Sequence, residues 1–508
     1  MKNRIKQYLL AASMCVGLTA CSDFFEPIPG VQFGLDETFA SKQRTEVYSY
    51  VREVTDAIHP NTYGGIFTEA SLDGANRWNK TYAEWTNGSF NSASAQASEY
   101  FSKYYQAIAK ASTFIQNVDK CTEAAASTRG KWKSEARALR AYYYFELLRL
   151  YGPIPLIGED PIPLDASLEE LIKERNSVDE CVNFIATELQ SAIDSGDLLQ
   201  RAGKANLGRM DVATCMALKA KLYLYWASPL FNGNTDQASV KNKDGKQLFP
   251  QTEDNSKWAQ ARDAYERFMT FAAGQGYKLT EVYTNGKLDP YASCRAAGEF
   301  FTTTWEAVDE LIFVKLRDLY DYTYWVCPKF TDFQDTDVTG GGGYYTTQET
   351  VDLFFTKDGL TIEEDPGYDK FEGIPSANNF TSGRYYDPNN PSRLYFDADK
   401  SKVLKQWKDR EPRFYVNITY SGSIWLNEGK YNEEMRTDFT NGANGTCGKS
   451  KTSGDCPDSG YLIRRGAKAS NNNGSKHFSP VLRLADMYLG YAEALCMCSD
   501  LDNALTYL

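Results

Sequence analysis

The sequence predicts a mainly α-helical fold, in which paired helices support a loop-rich second half that contains few short strands. Three observations lead to this prediction. Apolar residues recur at helical spacing through the first half of the chain, and proline or glycine ends several of these patterns. From about residue 279 to residue 479 the composition changes to Gly, Asn, Asp, Thr and Tyr, which is typical of loops.

The strongest helical pattern lies between residues 132 and 150 and has two apolar stripes. One stripe consists of Trp132, Ala136, Leu139, Tyr143, Leu147 and Leu150, and the other consists of Ala138, Ala141, Tyr142, Phe145 and Leu148. Two stripes on one helix predict that other elements cover it on two sides. Gly152 and Pro153 follow the pattern and are expected to end the helix.

Four further segments show a similar spacing of apolar residues. They are residues 98–118, 178–193, 212–226 and 258–271. Paired helices with small residues at their contacts are typical of an α–α solenoid, in which each pair packs on its neighbours. The sequence has no strict 34-residue period, so the spacing suggests a tetratricopeptide-like stack with long insertions between its pairs.

The second half contains short apolar pieces, such as residues 311–316 and 414–420, which predict a few strands among loops. A last long helix is predicted to start near Pro480. Its apolar face consists of Val481, Leu484, Met487, Tyr488 and Tyr491. The final helical pattern, residues 502–508, has no capping signal, so we expect the helical region to continue beyond the given sequence.

The first residues have the order of a bacterial export signal. Basic residues at positions 2, 4 and 6 precede an apolar stretch, residues 8–20, which is shorter than the roughly 20 residues of a membrane-spanning helix. The stretch ends in Leu-Thr-Ala before Cys21, a sequence similar to the lipobox of bacterial lipoproteins. This similarity implies that residues 1–20 are removed and that Cys21 carries the lipid that anchors the protein in a membrane.

The composition indicates a large globular protein with an acidic surface. The 508-residue chain has a formal net charge of −12, a pI near 5.0 and a mean hydropathy of −0.50. Because Lys and Arg form no run, we expect no nucleic acid partner, and a neutral or weakly charged ligand fits the composition better. The 34 Tyr and 9 Trp side chains can either fill a core or stack on a ligand.

The sequence offers little for catalysis or metal binding. Two histidines, His59 and His477, are present, and neither belongs to a Ser–His–Asp or Cys–His arrangement. No Cys-x-x-Cys or His-x-x-x-His motif occurs, so we predict neither a zinc ion nor another cofactor. Cys447 and Cys456 flank a short loop, and the sequence leaves open whether they form a disulfide or stay thiols.

Several segments together resemble the SusD/RagB family, and they occur in the family's order along almost the whole chain. The most specific are residues 133–147, KSEARALRAYYYFEL, and residues 150–156, LYGPIPL. Further matching segments are residues 208–209, 212–224, 351–354, 358–359, 409–414, 480–486 and 491–494. These segments belong to helix contacts and turns, so they identify the family without naming a ligand.

The resemblance implies four tetratricopeptide-like helix pairs that support a more variable, loop-rich half. We divide the chain into a signal peptide at residues 1–20, a helical region at 21–275 and a loop-rich region at 276–508. The resemblance also implies a cell-surface, outer-membrane lipoprotein that binds glycans and delivers them to a SusC-like, TonB-dependent transporter. It implies binding without chemistry, so we predict that the protein is not an enzyme.

In this family, glycan binders use aromatic side chains on loops, surrounded by polar groups, and two stretches of the sequence fit that description. The first stretch, residues 73–79, contains Trp78, and the second runs from residue 317 to residue 325. The predicted ligand-binding residues are Asn76, Arg77, Trp78, Arg317, Tyr320, Tyr322, Tyr324 and Trp325. Tyr344 and Tyr345, beside a run of four glycines, are weaker candidates.

Two alternatives stay open at this stage. A peptide-binding lid like the RagB branch of the family would depend on polar grooves that bond a peptide backbone, more than on aromatic platforms. A secreted glycoside hydrolase, the less favoured alternative, would need two carboxylates that face one cleft. Their separation depends on the fold and is not visible in the sequence.

Overall fold

A computed structural model of the chain describes residues 39–42, 74–77, 84, 88–160, 162–163, 166–298, 309–317, 324–330, 340–371, 373–425, 435–440, 447–448, 452, 454–467 and 477–508. Within these residues the structure is mainly helical, as predicted, and its strands are short. None of the described helices is both long enough and apolar enough to cross a membrane.

The helices follow one another through the first half and return at the end of the chain. In chain order they are α1 (Ala95–Asn117), α2 (Ala126–Tyr151), α3 (Leu168–Leu171), α4 (Val178–Asp194), α5 (Val212–Ala227), α6 (Ser256–Gly274), α7 (Pro290–Gly298), α8 (Gln348–Asp352), α9 (Pro412–Asn417), α10 (Leu484–Met497) and α11 (Leu501–Tyr507). The long helices pack in the order α1, α2, α4, α5, α6, α10, and α11 packs on α10. Each helix contacts its neighbours in this series, which is the arrangement of an α–α solenoid.

Helix α2 lies between two neighbours in the helical half. Nearly every side chain between Trp132 and Leu148 is buried, because α1 and α4 both pack against the helix. The prediction that two sides of this helix are covered is therefore confirmed. The helix ends at Gly152, whose positive φ of 69° suits glycine and whose N–H donates to the Leu148 carbonyl at 3.0 Å.

Polar side chains determine where α4 and α5 begin. Before α4, the hydroxyl of Ser177 accepts a hydrogen bond from Glu180 N–H, and the Glu180 carboxylate accepts one from Ser177 N–H at 2.7 Å. Before α5, the Asp211 carboxylate accepts a hydrogen bond from Thr214 N–H at 2.7 Å. Both helices start where the sequence predicts them, at residues 178 and 212.

The strands among the described residues form one small four-stranded sheet and three two-stranded ribbons. They are β1 (Ala75–Asn76), β2 (Tyr283–Thr284), β3 (Lys287–Leu288), β4 (Leu311–Arg317), β5 (Tyr344–Tyr345), β6 (Arg384–Asp387), β7 (Asn390–Asp397), β8 (Ile418–Thr419), β9 (Leu462–Ile463) and β10 (His477–Arg483). The four-stranded sheet has the antiparallel order β1-β5-β9-β8, and the ribbons are β10-β4, β2-β3 and β6-β7. The sheet therefore combines strands that are far apart in the sequence.

The prediction that the last long helix starts near Pro480 is wrong. Residues 477–483 form β10, which pairs antiparallel with β4, and α10 starts only at Leu484. Pro480 has no N–H to donate to a neighbouring strand, and the pairing shifts its register between Pro480 and Leu482. Val481 belongs to the strand, although its spacing to Leu484 also fits a helix.

The apolar piece at residues 414–420 also differs from the prediction of strand and loop. Pro412 occupies the first turn of the short helix α9, and only Ile418 and Thr419 form a strand. Proline is favourable at that position because the first N–H groups of a helix have no helical partner. The strand predicted at residues 311–316 is confirmed as β4.

The two halves have different cores. Apolar side chains of α1, α2, α4, α5, α6 and α10 form one continuous core in the helical half. The loop-rich half has smaller cores that contain many aromatic rings. Tyr395 and Tyr415 stack there with ring centroids 3.9 Å apart, and Phe414 and Tyr420 stack at 5.2 Å. Much of the aromatic content of the loop-rich half therefore fills cores.

Buried ion pairs cross-link the loop-rich half. Arg393 on β7 donates to the Asp289 carboxylate through Nη1 and Nη2, both at 2.9 Å. Asp289 is 2% exposed, precedes α7 and also accepts a hydrogen bond from Ala292 N–H at 2.9 Å. Burial raises the pKa of the Asp289 carboxyl, but the hydrogen bonds from Arg393 and Ala292 outweigh burial and hold the pKa at about 2.

Asp289 stabilises the folded protein, and acid removes this stabilisation. We expect the free energy of unfolding to fall by about 2 kcal/mol between about pH 4 and about pH 2 because Asp289 becomes protonated. Its pKa in the folded protein lies below the ordinary value of 3.8. The stabilisation is therefore present above that value and is lost as the pH falls through the folded pKa. Urea unfolding of the parent protein and of Asp289→Asn across this range should show their difference shrinking, and a constant difference would contradict the assignment.

Candidate functional site

The two predicted ligand-binding stretches meet at one edge of the four-stranded sheet. Strand β1, from the first stretch, pairs with β5. Arg77 continues this pairing, because its N–H donates to the Gly343 carbonyl at 2.9 Å. The N–H of Gly343 in turn donates to the carbonyl of Trp325, in the second stretch, at 3.0 Å. Gly343 therefore joins the two stretches through its backbone.

The glycine run, residues 340–343, holds the end of the second stretch, Tyr324 and Trp325, in place. Each of its four N–H groups donates to a carbonyl between residues 324 and 328, at 2.8 to 3.0 Å. A Cβ on Gly340 would lie within 3.0 Å of the Tyr324 carbonyl, and a Cβ on Gly341 would lie within 3.0 Å of the Trp325 ring. The absence of side chains therefore allows the two backbone segments to come this close.

Tyr324 and Trp325 form a partly exposed aromatic pair. Their ring centroids are 5.3 Å apart and their planes meet at 84°, an edge-to-face contact. Trp325 also packs against a buried cluster that contains Val326, Cys327 and Trp425. The core thus supports the pair while part of each side chain reaches solvent, which is what a stacking platform for a ligand requires.

The structure describes the side chains of three predicted site residues, Arg77, Tyr324 and Trp325. Lying outside the described residues are Cys21, Trp78, Tyr320, Tyr322 and the side chains of Asn76 and Arg317. The two weaker candidates differ from each other, since Tyr344 is 2% exposed and Tyr345 is partly exposed. Tyr344 belongs to a core and presents no face for stacking.

Two ion pairs lie beside the glycine run. Arg77 pairs with Asp458 and also donates from Nη1 to the carbonyl of Cys456 at 3.3 Å. Lys329 pairs with Asp455, and both side chains are partly exposed. The positive charges of Arg77 and Lys329 are therefore matched by carboxylates, which keeps this part of the surface close to neutral.

Sequence analysis missed Lys329, Asp455 and Asp458 as members of the site. Nothing in the local sequence indicates that residues 454–458 lie against Arg77, because Cys456, which accepts its hydrogen bond, is 379 positions away. In the sequence, this region is marked only by its two cysteines, Cys447 and Cys456. The structure forms no disulfide between Cys447 and Cys456, and both are buried.

The described part of the chain contains no group of three or more His, Cys, Asp or Glu side chains placed to hold a metal ion. Near the aromatic pair, the carboxylates of Asp455 and Asp458 are each engaged with a cation. The described site thus offers an aromatic face and ion-paired polar groups, which suit the binding of a neutral polar molecule.

Two family models match the chain over most of its length. A model described as "SusD family" matches residues 310–508, and a model described as "Starch-binding associating with outer membrane" matches residues 37–224. The chain belongs to the SusD/RagB family. Both matched regions contribute to the candidate site, since the first contains the aromatic pair and the glycine run and the second contains Arg77.

Known SusD-like proteins are similar to the chain in sequence or in fold. A SusD-like protein of Bacteroides ovatus is 27% identical over 251 residues, which is 47% of this chain and 42% of that protein. The match therefore spans less than half the length of this curated relative. The solved structure named BT4246 has a TM-score of 0.71 at 23% identity, over 92% of this chain and 81% of that one. A SusD-like carbohydrate binding protein from Bacteroides fragilis has a TM-score of 0.61 at 17% identity, over 92% and 78%.

The segments that mark the SusD/RagB family act as structural supports. Arg209 donates to the buried Glu135 carboxylate at 2.9 and 2.6 Å, which joins the start of the α5 region to α2. Arg410 donates from Nη2 to the carbonyls of Val351 and Phe354 at 2.8 and 2.6 Å. These contacts connect one family segment to another, so the segments report the fold and leave the ligand open.

Proposed function

We propose that this chain is a cell-surface lipoprotein that binds glycans, as oligosaccharides, and delivers them to a SusC-like, TonB-dependent transporter in the outer membrane. The observation that carries the proposal is the aromatic pair, Tyr324 and Trp325, which the glycine run holds partly exposed. A sugar ring has a flat face of C–H groups that packs on an aromatic ring, while its hydroxyls bond polar neighbours.

Related proteins support a carbohydrate ligand. One family model that matches the chain is described as starch-binding, and the Bacteroides fragilis structure is titled a carbohydrate binding protein. A further solved structure, with a TM-score of 0.50 to this chain, is titled as a structure with a xylogluco-oligosaccharide. We extend this class of ligand to the present chain.

The charges of the site favour neutral sugars over acidic ones. Arg77 already pairs with Asp458, and Lys329 pairs with Asp455. These two cations are therefore not available to a sugar carboxylate. The whole chain also has a formal net charge of −12, which repels acidic ligands at a distance. An uncharged oligosaccharide needs no free cation and is not repelled by the net negative charge.

The remaining parts of the proposal follow from the sequence and the family. A lipid on Cys21 would hold the protein at the membrane surface, since stable anchoring without a spanning helix requires acyl chains. A SusC-like transporter would be the partner that receives the ligand. The proposal includes neither a cofactor nor a nucleic acid.

The aromatic pair provides a direct test. We expect Trp325→Ala to weaken oligosaccharide binding about tenfold, because the stacking face would be lost. Isothermal titration calorimetry of the purified protein against neutral glycans, uronate-containing glycans and a peptide pool measures the effect. Tyr283→Ala is a matched control, since Tyr283 is 60% exposed on the β2-β3 ribbon and is not part of the site.

The same experiment separates the alternatives. Unchanged glycan affinity in Trp325→Ala, with circular dichroism showing a folded variant, would remove the aromatic pair from the binding site. Binding of peptides without any glycan would point to a RagB-like lid. Reducing sugar released by the pure parent protein would point to a glycoside hydrolase.

A further inference from the structure

Arg464 is a buried arginine that lacks a charged partner in the described part of the chain. The residue is 7% exposed, and its Nη1 donates to the carbonyl of Tyr415 over a long 3.4 Å. Its Nε has no hydrogen-bond partner. By contrast, Arg140, which is also buried, pairs with Glu188. An arginine is rarely buried without a negative charge beside it, because loss of hydration is costly.

Two other buried groups beside Arg464 also lack hydrogen-bond partners. The ring of Trp425 lies 5.5 Å from the guanidinium carbon, and its indole N–H is unpartnered. The Tyr420 hydroxyl is unpartnered too, and the charge of Arg464 opposes the rise in pKa that burial causes at Tyr420. Arg295 adds a second positive charge to the surroundings of Arg464. The guanidinium, the indole N–H and the hydroxyl can each donate a hydrogen bond, and no described carboxylate pairs with Arg464.

We propose that Arg464 binds a small inorganic anion, of the size and charge of chloride, inside the loop-rich half. A guanidinium, an indole N–H and a hydroxyl can all donate to such an anion. One negative charge would compensate Arg464, and a larger anion would not suit a position that is 7% exposed. The anion would therefore take the part that the Glu188 carboxylate plays beside Arg140.

The position of Arg464 links this anion to the candidate site. Arg464 directly follows β9, and its N–H donates to the Asn417 carbonyl at 2.6 Å. Strand β9 lies between β8 and β5, and β5 in turn pairs with β1. A bound anion would thus stabilise the sheet on which the aromatic pair and Arg77 are assembled, whatever ligand the site takes.

Thermal unfolding of the purified full chain tests the proposal. The melting temperature should be higher by about 1–3 °C in sodium chloride or bromide than in sodium gluconate of equal ionic strength. A crystal soaked in sodium bromide should show an anomalous peak within hydrogen-bond distance of Arg464 Nε. Equal melting temperatures of the parent protein in halide and in gluconate would overturn the proposal.

Two variants separate a bound anion from a general salt effect. Arg464→Met should lose the halide-dependent shift, whereas Arg393→Met should keep it, because Arg393 is already paired with Asp289 and Asp387. A halide shift that persists in Arg464→Met would overturn the proposal. If Arg464→Met does not fold, the bromide experiment on the parent protein decides, and a crystal without a peak at Arg464 counts against the anion.

Discussion

Replacement of Arg140 by methionine is expected to lower the free energy of unfolding of the helical half by about 3–5 kcal/mol. Arg140 is fully buried in α2 and donates from Nε to the Glu188 carboxylate at 2.9 Å and from Nη1 to the Ser112 hydroxyl at 3.0 Å. Without Arg140, the buried carboxylate of Glu188 on α4 would keep Arg137 as its one charged partner among the described residues. Most of the loss would come from leaving a negative charge buried between the helices.

Urea unfolding followed by circular dichroism measures this effect. Lys103→Met is the matched control, because it breaks the exposed pair between Lys103 and Glu99 and should cost less than about 0.5 kcal/mol. The double variant Arg140→Met/Glu188→Met should recover part of the loss, since no carboxylate then stays buried at this point. A double variant whose loss equals the sum of the two single losses would contradict the explanation.

Gly341→Ala is expected to weaken oligosaccharide binding by about tenfold or more and to cost about 1–3 kcal/mol of stability. The added methyl group would lie within 3.0 Å of the rings of Trp325 and Tyr324. One of these rings would have to move, although Gly341 N–H holds the Tyr324 carbonyl at 2.8 Å. The variant therefore disturbs the aromatic pair without removing any aromatic side chain.

Gly158→Ala provides the control for this substitution. A Cβ on Gly158 would meet no atom within 4 Å, so the variant should bind and unfold like the parent protein. Calorimetry with the tightest glycan of the panel and urea unfolding give the two required measurements. If Gly341→Ala bound that glycan as the parent protein does, the candidate site would not lie at the aromatic pair.

The helices could be predicted because their signals are local. The spacing of apolar residues predicted the starts of α4 and α5, and the structure adds the side chains of Ser177 and Asp211 that cap them. The prediction for the region around Pro480 is wrong because local signals do not decide its structure. A strand and a helix follow each other there, and the choice between them depends on pairing with β4, whose paired residues lie 160 to 172 positions earlier.

The site could be predicted only in part. The high density of aromatic residues indicated the stretch that contains Tyr324 and Trp325. It could not show which of these rings are exposed to solvent. Tyr344 and Tyr345 illustrate this limit, because adjacent residues of a strand point to opposite faces and one of them is buried. Asp455 and Asp458 gave no signal, since their role depends on contacts with Lys329 and Arg77.

The sequence by itself determined the family and the helical scaffold, because periodic apolar residues, caps and the segments that join helices are encoded over short distances. Only the tertiary structure decided how the candidate site is assembled. Gly343 joins β1 to the aromatic pair, and Arg77 reaches a loop 379 positions further along the chain. Such contacts are formed between backbone groups and side chains that folding alone brings together, so no local pattern of residues records them.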